Sequence, residues 1–163
     1  MISYTEGKEV QHPYTLGDRV EFREKGNSEN YVLGGWSSQE TDHRWTEGKM
    51  AALRFNIENI QPKDLVLTVS ACGFLPKRGR AQMVTVKANG VEVATWEVKP
   101  KCSEFSSAIP GSILKDSGLK ISFVMNEPTR PCEVGDSEDC RRLGMAMREL
   151  MISDSGESRF AEK

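Results

Sequence analysis

Between Gly34 and Phe55 the chain reads Gly-Gly-Trp36-Ser-Ser-Gln-Glu40-Thr-Asp42-His43-Arg44-Trp45-Thr46-Glu-Gly48, then Lys-Met-Ala-Ala-Leu-Arg-Phe. Two of the three tryptophans lie here beside carboxylates, an imidazole and a guanidinium. Such polar groups are costly to bury alone, so they pair with one another or meet a ligand. Sugar binding suits these residue types best. An indole stacks on the apolar C–H side of a pyranose, while carboxylates and arginine exchange hydrogen bonds with its hydroxyls. Trp36, Glu40, Arg44 and Trp45 supply those parts. The competing structural reading makes the tryptophans core residues and Glu40–Arg44 an ion pair that holds a loop. A metal reading of Glu40, Asp42 and His43 requires them to converge in a loop, because a strand points alternate residues apart. The stretch lacks the spaced oxygen ligands of a calcium loop.

A second polar constellation, Asp136-Ser-Glu-Asp139-Cys140-Arg141-Arg142-Leu143-Gly144, enters the last apolar segment. Asp139 and Arg141 are the candidates there. If the two constellations meet in space, their charges cross-pair into a network with strict geometric demands. Catalytic templates fail: there is no nucleophile elbow, no phosphate-cradling glycine loop and no His-Glu-x-x-His. The sequence nominates no catalytic residue, no metal and no cofactor. A glycosidase would need two facing carboxylates, Glu40 with Asp42 or with Asp139, and nothing in the spacing selects them.

The chain has 163 residues, a net charge of −2 and a pI near 5.8. That balance argues against nucleic acid as the main partner. No apolar run approaches the roughly 18 residues of a membrane helix, so no membrane insertion by this chain is expected. The start, Met1 to Lys8, lacks the apolar core of a signal peptide. A cytoplasmic location, at the membrane face or away from it, is the expectation. Cys72 ends an apolar run and is expected to be a small core residue. Cys132 and Cys140 bracket an acidic loop; they close a disulfide in an oxidising compartment or stay free thiols in a reducing one.

The elements that must position these groups are strands. Val20 and Phe22 alternate, as do Ala51-Leu53-Phe55-Ile57, Leu65-Leu67-Val69-Ala71 and Leu119-Ile121-Phe123-Met125. Residues 83–87 and 91–98 flank Asn89-Gly90, the strongest short hairpin signal, because a type I′ turn needs positive φ at both positions. Trp96 falls inside that second run and reads as core. Residues 103–109 form a weaker strand, and 143–152 a strand with an irregularity near Arg148-Glu149. Residues 110–117 offer one helical turn, and Leu75-Pro-Lys77-Arg78-Gly-Arg80 a basic loop that reads as a solvated turn or an anion-attracting one. Eight or nine strands with turn chemistry between them predict an all-β fold: an antiparallel two-sheet β-sandwich, jelly-roll-like. The domain is expected over 17–152, with an extended lead-in at 1–16 and a frayed tail at 153–163.

Several motifs occur in a fixed order: Trp36-x-x-x-Glu40-x-x-x-Arg44-Trp45-Thr46-x-Gly48, Ala51-Ala52-Leu53, Val84-x-Val86-x-x-Asn89-Gly90-x-x-Val93-x-x-Trp96, and Asp139-x-Arg141-x-Leu143-Gly144. Over residues 30–152 this pattern resembles a β-sandwich module of unknown function attached to bacterial glycosyltransferases and phosphoglycerol transferases of envelope polysaccharide synthesis. The sequence departs from the pattern at Gln39, where proline is expected, and in its Cys132/Cys140 pair. The resemblance implies a non-catalytic accessory module whose partner is a glycan or a glycosyltransferase. Together the residues and the resemblance lead to a carbohydrate-binding module contacting its ligand through Trp36, Glu40, Arg44 and Trp45, with Asp139 and Arg141 as neighbours. A protein-docking module and a glycan-active hydrolase are the alternatives.

Overall fold

The computed structural model describes residues 12–74, 81–114, 118–135 and 137–154. The basic loop at 75–80, Asp136 and the outer parts of the expected lead-in and tail lie outside them. Ten strands occur among the described residues: β1 Arg19–Glu21, β2 Trp36–Gln39, β3 Arg44–Glu47, β4 Met50–Asn56, β5 Leu65–Gly73, β6 Gln82–Ala88, β7 Val91–Val98, β8 Ser103–Ile109, β9 Gly118–Met125 and β10 Leu143–Asp154. A single helical turn, α1, spans Pro131–Val134, and short 3-10 turns sit at Ser28–Asn30 and Gly111–Ile113. The fold is an all-β sandwich of two antiparallel sheets. One has four strands in the order β4-β9-β6-β7; the other has six, β2-β3-β10-β5-β8, with β1 also paired to β10.

The alternating runs bury one face each. Leu65, Leu67, Val69 and Ala71 of β5 face Leu119, Ile121, Phe123 and Met125 of β9 across a dry core, none more than 1% exposed. Such a core is what holds two amphipathic sheets together. Trp96 is buried as expected and stacks on Phe105 with ring centroids 5.3 Å apart. Asn89 and Gly90 take φ of 49° and 84° and join β6 to β7. Asn89 also reaches the next strand: its Oδ1 accepts from Lys120 N at 2.8 Å, and its Nδ2 donates to Ile113 O at 3.0 Å. The expected irregularity is a register shift between Met147 and Glu149, where Arg148 stands out of the β10–β5 ladder.

Two expectations change. Residues 36–47, read as a polar block at a strand mouth, form the two-stranded β2–β3 hairpin at one edge of the larger sheet. Cys72 is not a core residue: Ala71 takes the inward position, so Cys72 faces out, half-exposed, and bonds to Cys102 at the start of β8. Cys132 and Cys140 are also bonded to each other.

Replacing Asn89 by Ala keeps an L-residue at positive φ and removes both side-chain bonds. The expected loss is roughly 1–3 kcal/mol of stability. Calorimetry should show a Tm lower by about 2–10 °C, whereas Asn89→Gly, which loses the same bonds but relieves the backbone, should lose less than Asn89→Ala.

Candidate functional site

The β2–β3 hairpin decides where each candidate points. Glu40 N donates to His43 O at 2.8 Å, closing the turn. Trp36 pairs with Thr46, and Gln39 with Arg44. Side chains alternate along a strand, so Arg44 and Thr46 face inward with Trp36, while Trp45 faces out. The two tryptophans therefore lie on opposite faces of the hairpin and do not form one platform.

Trp36 is half-buried. Its ring stacks on Phe22 at 5.4 Å, and its Nε1 donates to Ala52 O at 2.8 Å. Arg44 is only 7% exposed. Its Nε donates to Ser37 O at 2.6 Å, and its Nη1 reaches Ser28 Oγ at 3.3 Å and Glu29 Oε1 at 3.0 Å. The ion pair of the competing structural reading, Glu40–Arg44, does not form: Arg44 turns inward by strand alternation and pairs with Glu29. Its guanidinium does not join the outer cluster.

Glu40 pairs instead with the second constellation. Arg141 Nη1 lies 3.1 Å from Glu40 Oε2 and 2.7 Å from Ser37 Oγ. Its Nη2 and Nε meet the Asp139 carboxylate at 2.6 and 2.9 Å. The two polar blocks, about a hundred residues apart, are cross-paired through this one guanidinium. Asp139 is held by more than charge: its Oδ1 also accepts Arg141 N at 3.1 Å, and its carbonyl accepts Cys132 N at 2.7 Å inside the disulfide-closed loop. The Arg141 hydrogen bonds, side-chain first and backbone second, lower the Asp139 carboxyl to about 2, and hydrogen bonding to Asp139 raises the Arg141 guanidinium further.

The cluster continues through His43. Its Nδ1 lies 2.6 Å from Asp42 Oδ1 and its Nε2 3.6 Å from Glu40 Oε1. Hydrogen bonding by His43 lowers the Asp42 carboxyl, with Arg148 adding a weaker pull from 3.7 Å. With its carboxylates turned to arginines, this cluster is poorly suited to a metal ion, and no group of three or more metal-ligating side chains converges among the described residues. Trp45 stands next to His43 and Phe74, edge-on to both at 5.6 and 6.2 Å, and is half-exposed. The outer surface therefore presents an indole at one side and a hydrogen-bonding array of Glu40, Arg141 and Asp139 at the other, joined by the imidazole.

Sequence reasoning missed Phe74, Ser37, Arg148 and Glu29 as partners. Phe74 carried a signal, since it continues the outward parity of Cys72 beyond β5. Glu29 carried none; its tie to Arg44 spans 15 residues through an irregular loop.

No protein-family profile matches this sequence, and no curated protein does. Solved structures share its fold. The CBM22-1 xylan-binding domain of Xyn10C from Paenibacillus barcinonensis superposes with a TM-score of 0.56 at 13% identity, over 86% of this chain and 96% of that one. The CBM36-1 domain of a multidomain xylanase from the hindgut metagenome of Trinervitermes trinervoides gives 0.51 at 13% identity, over 85% and 98%. CsCBM6-3 from Clostridium stercorarium, solved with cellobiose, gives 0.51 at 11% identity, over 90% and 100%. At these identities the likeness is one of fold.

The lowered Asp139 carboxyl has a pH consequence. A depressed carboxylate contributes stability that is present above its unfolded value near 4 and is lost as pH falls through about 2. In Arg141→Gln the titration midpoint of Asp139, followed by carboxyl-carbon NMR, should rise from about 2 toward the ordinary value near 4, stopping short of it because the backbone N–H of residue 141 still donates to the carboxylate. A midpoint still near 2 would assign the shift to the loop backbone instead of the guanidinium.

Proposed function

We propose that this chain is a non-catalytic carbohydrate-binding module and that the Trp45 side of the β2–β3 hairpin is its glycan-facing surface. The observation that carries the reading is the half-exposed Trp45 indole, linked through His43 to Glu40 and Arg141. Sugars are held by this combination: a hydrophobic ring for the C–H face and charged hydrogen-bonding groups for the hydroxyls. The fold supports it, because the solved sandwiches that this chain resembles include a xylan-binding domain and a module seen with cellobiose.

Hydrolase chemistry is disfavoured by the same cluster. A general acid needs a raised carboxyl, whereas Asp139 is lowered to about 2 and shares its arginine with Glu40. The role of accessory module to an envelope-polysaccharide glycosyltransferase rests on the sequence resemblance. A docking role draws on the exposed apolar side chains of Leu33 and Met50, which flank the β4 edge. The two disulfides favour an oxidising compartment over the cytoplasm expected from the sequence. No helix among the described residues is long and apolar enough to cross a membrane.

The test is a glycan array spanning xylo- and cello-oligosaccharides and envelope polysaccharide fragments. Trp45→Ala should lose binding by at least about tenfold while remaining folded, the scale of one lost stacking contact plus its ordered neighbours. Glu40→Ala should weaken it as well. Arg44→Gln serves as the contrast: it should lower Tm through the unsatisfied Ser37 carbonyl and Ser28 hydroxyl, about 1–3 kcal/mol, yet leave the affinity of the folded protein unchanged. Wild-type affinity in Trp45→Ala would sink the assignment.

A further inference from the structure

We propose that the end of the hairpin away from the Glu40 turn carries a second subsite that takes an oxyanion borne on a sugar: a uronate carboxylate, or a sulfate or phosphate ester. This rests on the carbohydrate reading above but uses different residues. An open cleft of about 410 Å³ lies there, lined by Gly35, Trp36, Gly48 and the side of the disulfide loop that holds Arg130, Cys140 and Arg142, with Glu47 at the same site.

The cleft is built by backbone that only glycine tolerates well. Gly35 and Gly48 have φ of 94° and 93°. A Cβ on Gly35 would collide with the Met50 carbonyl oxygen, while one on Gly48 would meet nothing within 4 Å. Gly48 N donates to Arg142 O at 2.8 Å, and Glu47 N to Gly35 O at 2.8 Å, so the walls are fixed to one another. Trp36, which remains partly exposed, lines this space as well.

Adjacent arginines divide their roles. The donors of Arg141 are spent on Asp139, Glu40 and Ser37. Arg142 is half-buried, and among the described residues its guanidinium has no hydrogen-bond or ion-pair partner. Arg130 is anchored by its Nε on Cys140 O at 3.0 Å, and its Nη1 has only a loose contact with Glu133 at 3.9 Å. A guanidinium with free, forked donors matches a carboxylate or an ester oxyanion bidentately. Beside an indole, it suits a sugar ring that carries such a group.

Charge separates the cleft from the Trp45 cluster. The cleft-lining side chains Arg130, Arg142 and Glu47 sum to +1. The Trp45 side, with Arg141 and Arg148 against Glu40, Asp42 and Asp139, sums to −1 with His43 neutral. Glu133, 3.9 Å from Arg130, offsets part of the positive field, so the anion contact depends on the direct guanidinium geometry of Arg142.

The experiment is an NMR titration of the full chain, isotope-labelled to read the tryptophan indole N–H and arginine Nε–H signals. The probes are methyl glucuronide, glucose 6-sulfate, glucose 6-phosphate, neutral methyl glucoside and inorganic sulfate. Methyl glucuronide or one of the two esters should shift the Trp36 and Arg142 signals, and Arg142→Gln should weaken that binding about tenfold, the scale of one charge-assisted hydrogen bond. Glu47→Gln, which removes the lining carboxylate, should tighten it and guards against poor folding of the arginine variant. Equal shifts with neutral methyl glucoside would overturn the proposal, as would wild-type affinity in Arg142→Gln or silence at Trp36 with all three anionic sugars. Inorganic sulfate acting as strongly as the anionic sugars would overturn its sugar component. The Trp45 signal, followed with neutral oligosaccharides, reports separately on the glycan-facing surface proposed above.

Discussion

The twelve-residue strand β10 sets the constraint from which the rest of the larger sheet follows. Buried backbone N–H and C=O groups must be paired along both edges of such a strand. β5 serves one edge from Met145 to Asp154. The other edge is shared: β3 pairs from Leu143 to Met147, and β1 from Glu149 to Met151. The bulge at Arg148 falls at the handover, and Phe22 N donates to the Arg148 carbonyl at 3.0 Å where the ladder breaks. A bulge re-aims the side chain it carries. Here Arg148 swings outward to Asp42, at the tip of the β2–β3 turn. At the start of β10, Thr46 Oγ1 accepts Met145 N at 2.9 Å. A side chain on Gly144 would strike Met125 and crowd Thr46. The central strand thereby fixes both ends of the hairpin that carries the polar cluster.

What was legible in the sequence follows from how residues report burial. β4, β5, β6 and β9 alternate apolar with other residues, and each was readable because its inward side chains are hydrocarbon. β3 and its partner β2 were not: β2 is a short strand whose inward apolar residue is Trp36 alone, and the inward positions of β3 are filled by Arg44 and Thr46. A binary pattern scores those as loop. Arg44 can occupy such a position only because Ser37 O, Ser28 Oγ and Glu29 satisfy it, and those partners come from other segments. The competing reading of Glu40–Arg44 as an ion pair fails for a related reason. A separation of four brings side chains together on a helix. In a hairpin with a two-residue turn, the closing residues 40 and 43 face each other instead, which is why His43 is the near neighbour of Glu40. The Glu40–Arg141 pair was anticipated because complementary charges occurred in two blocks that a sandwich could bring together. Cys72 was misplaced by one step of parity, and no local signal announced Cys102 as its partner.

The polar cluster also resolves a problem that any open sandwich must manage. β2 is an edge strand, and an edge exposes unpaired backbone that invites another strand. Its acceptors are consumed from within. Ser37 O takes the Nε of buried Arg44, and Glu40 O takes Glu24 N at 2.6 Å. Gln39 reaches across to Arg23 O at 2.9 Å, tying the edge to the preceding loop. Over the same edge the disulfide loop brings Arg141 to Ser37 and Glu40 on one side and Arg142 toward Trp36 on the other. The residues that close the edge against strand addition are thus the ones that shape the two polar surfaces. An edge blunted by arginines and carboxylates cannot pair with a flat apolar strand, but it keeps hydrogen-bonding groups in fixed positions at the solvent boundary. A hydroxyl-rich or anionic ligand can use groups held in that way without the protein first having to order them.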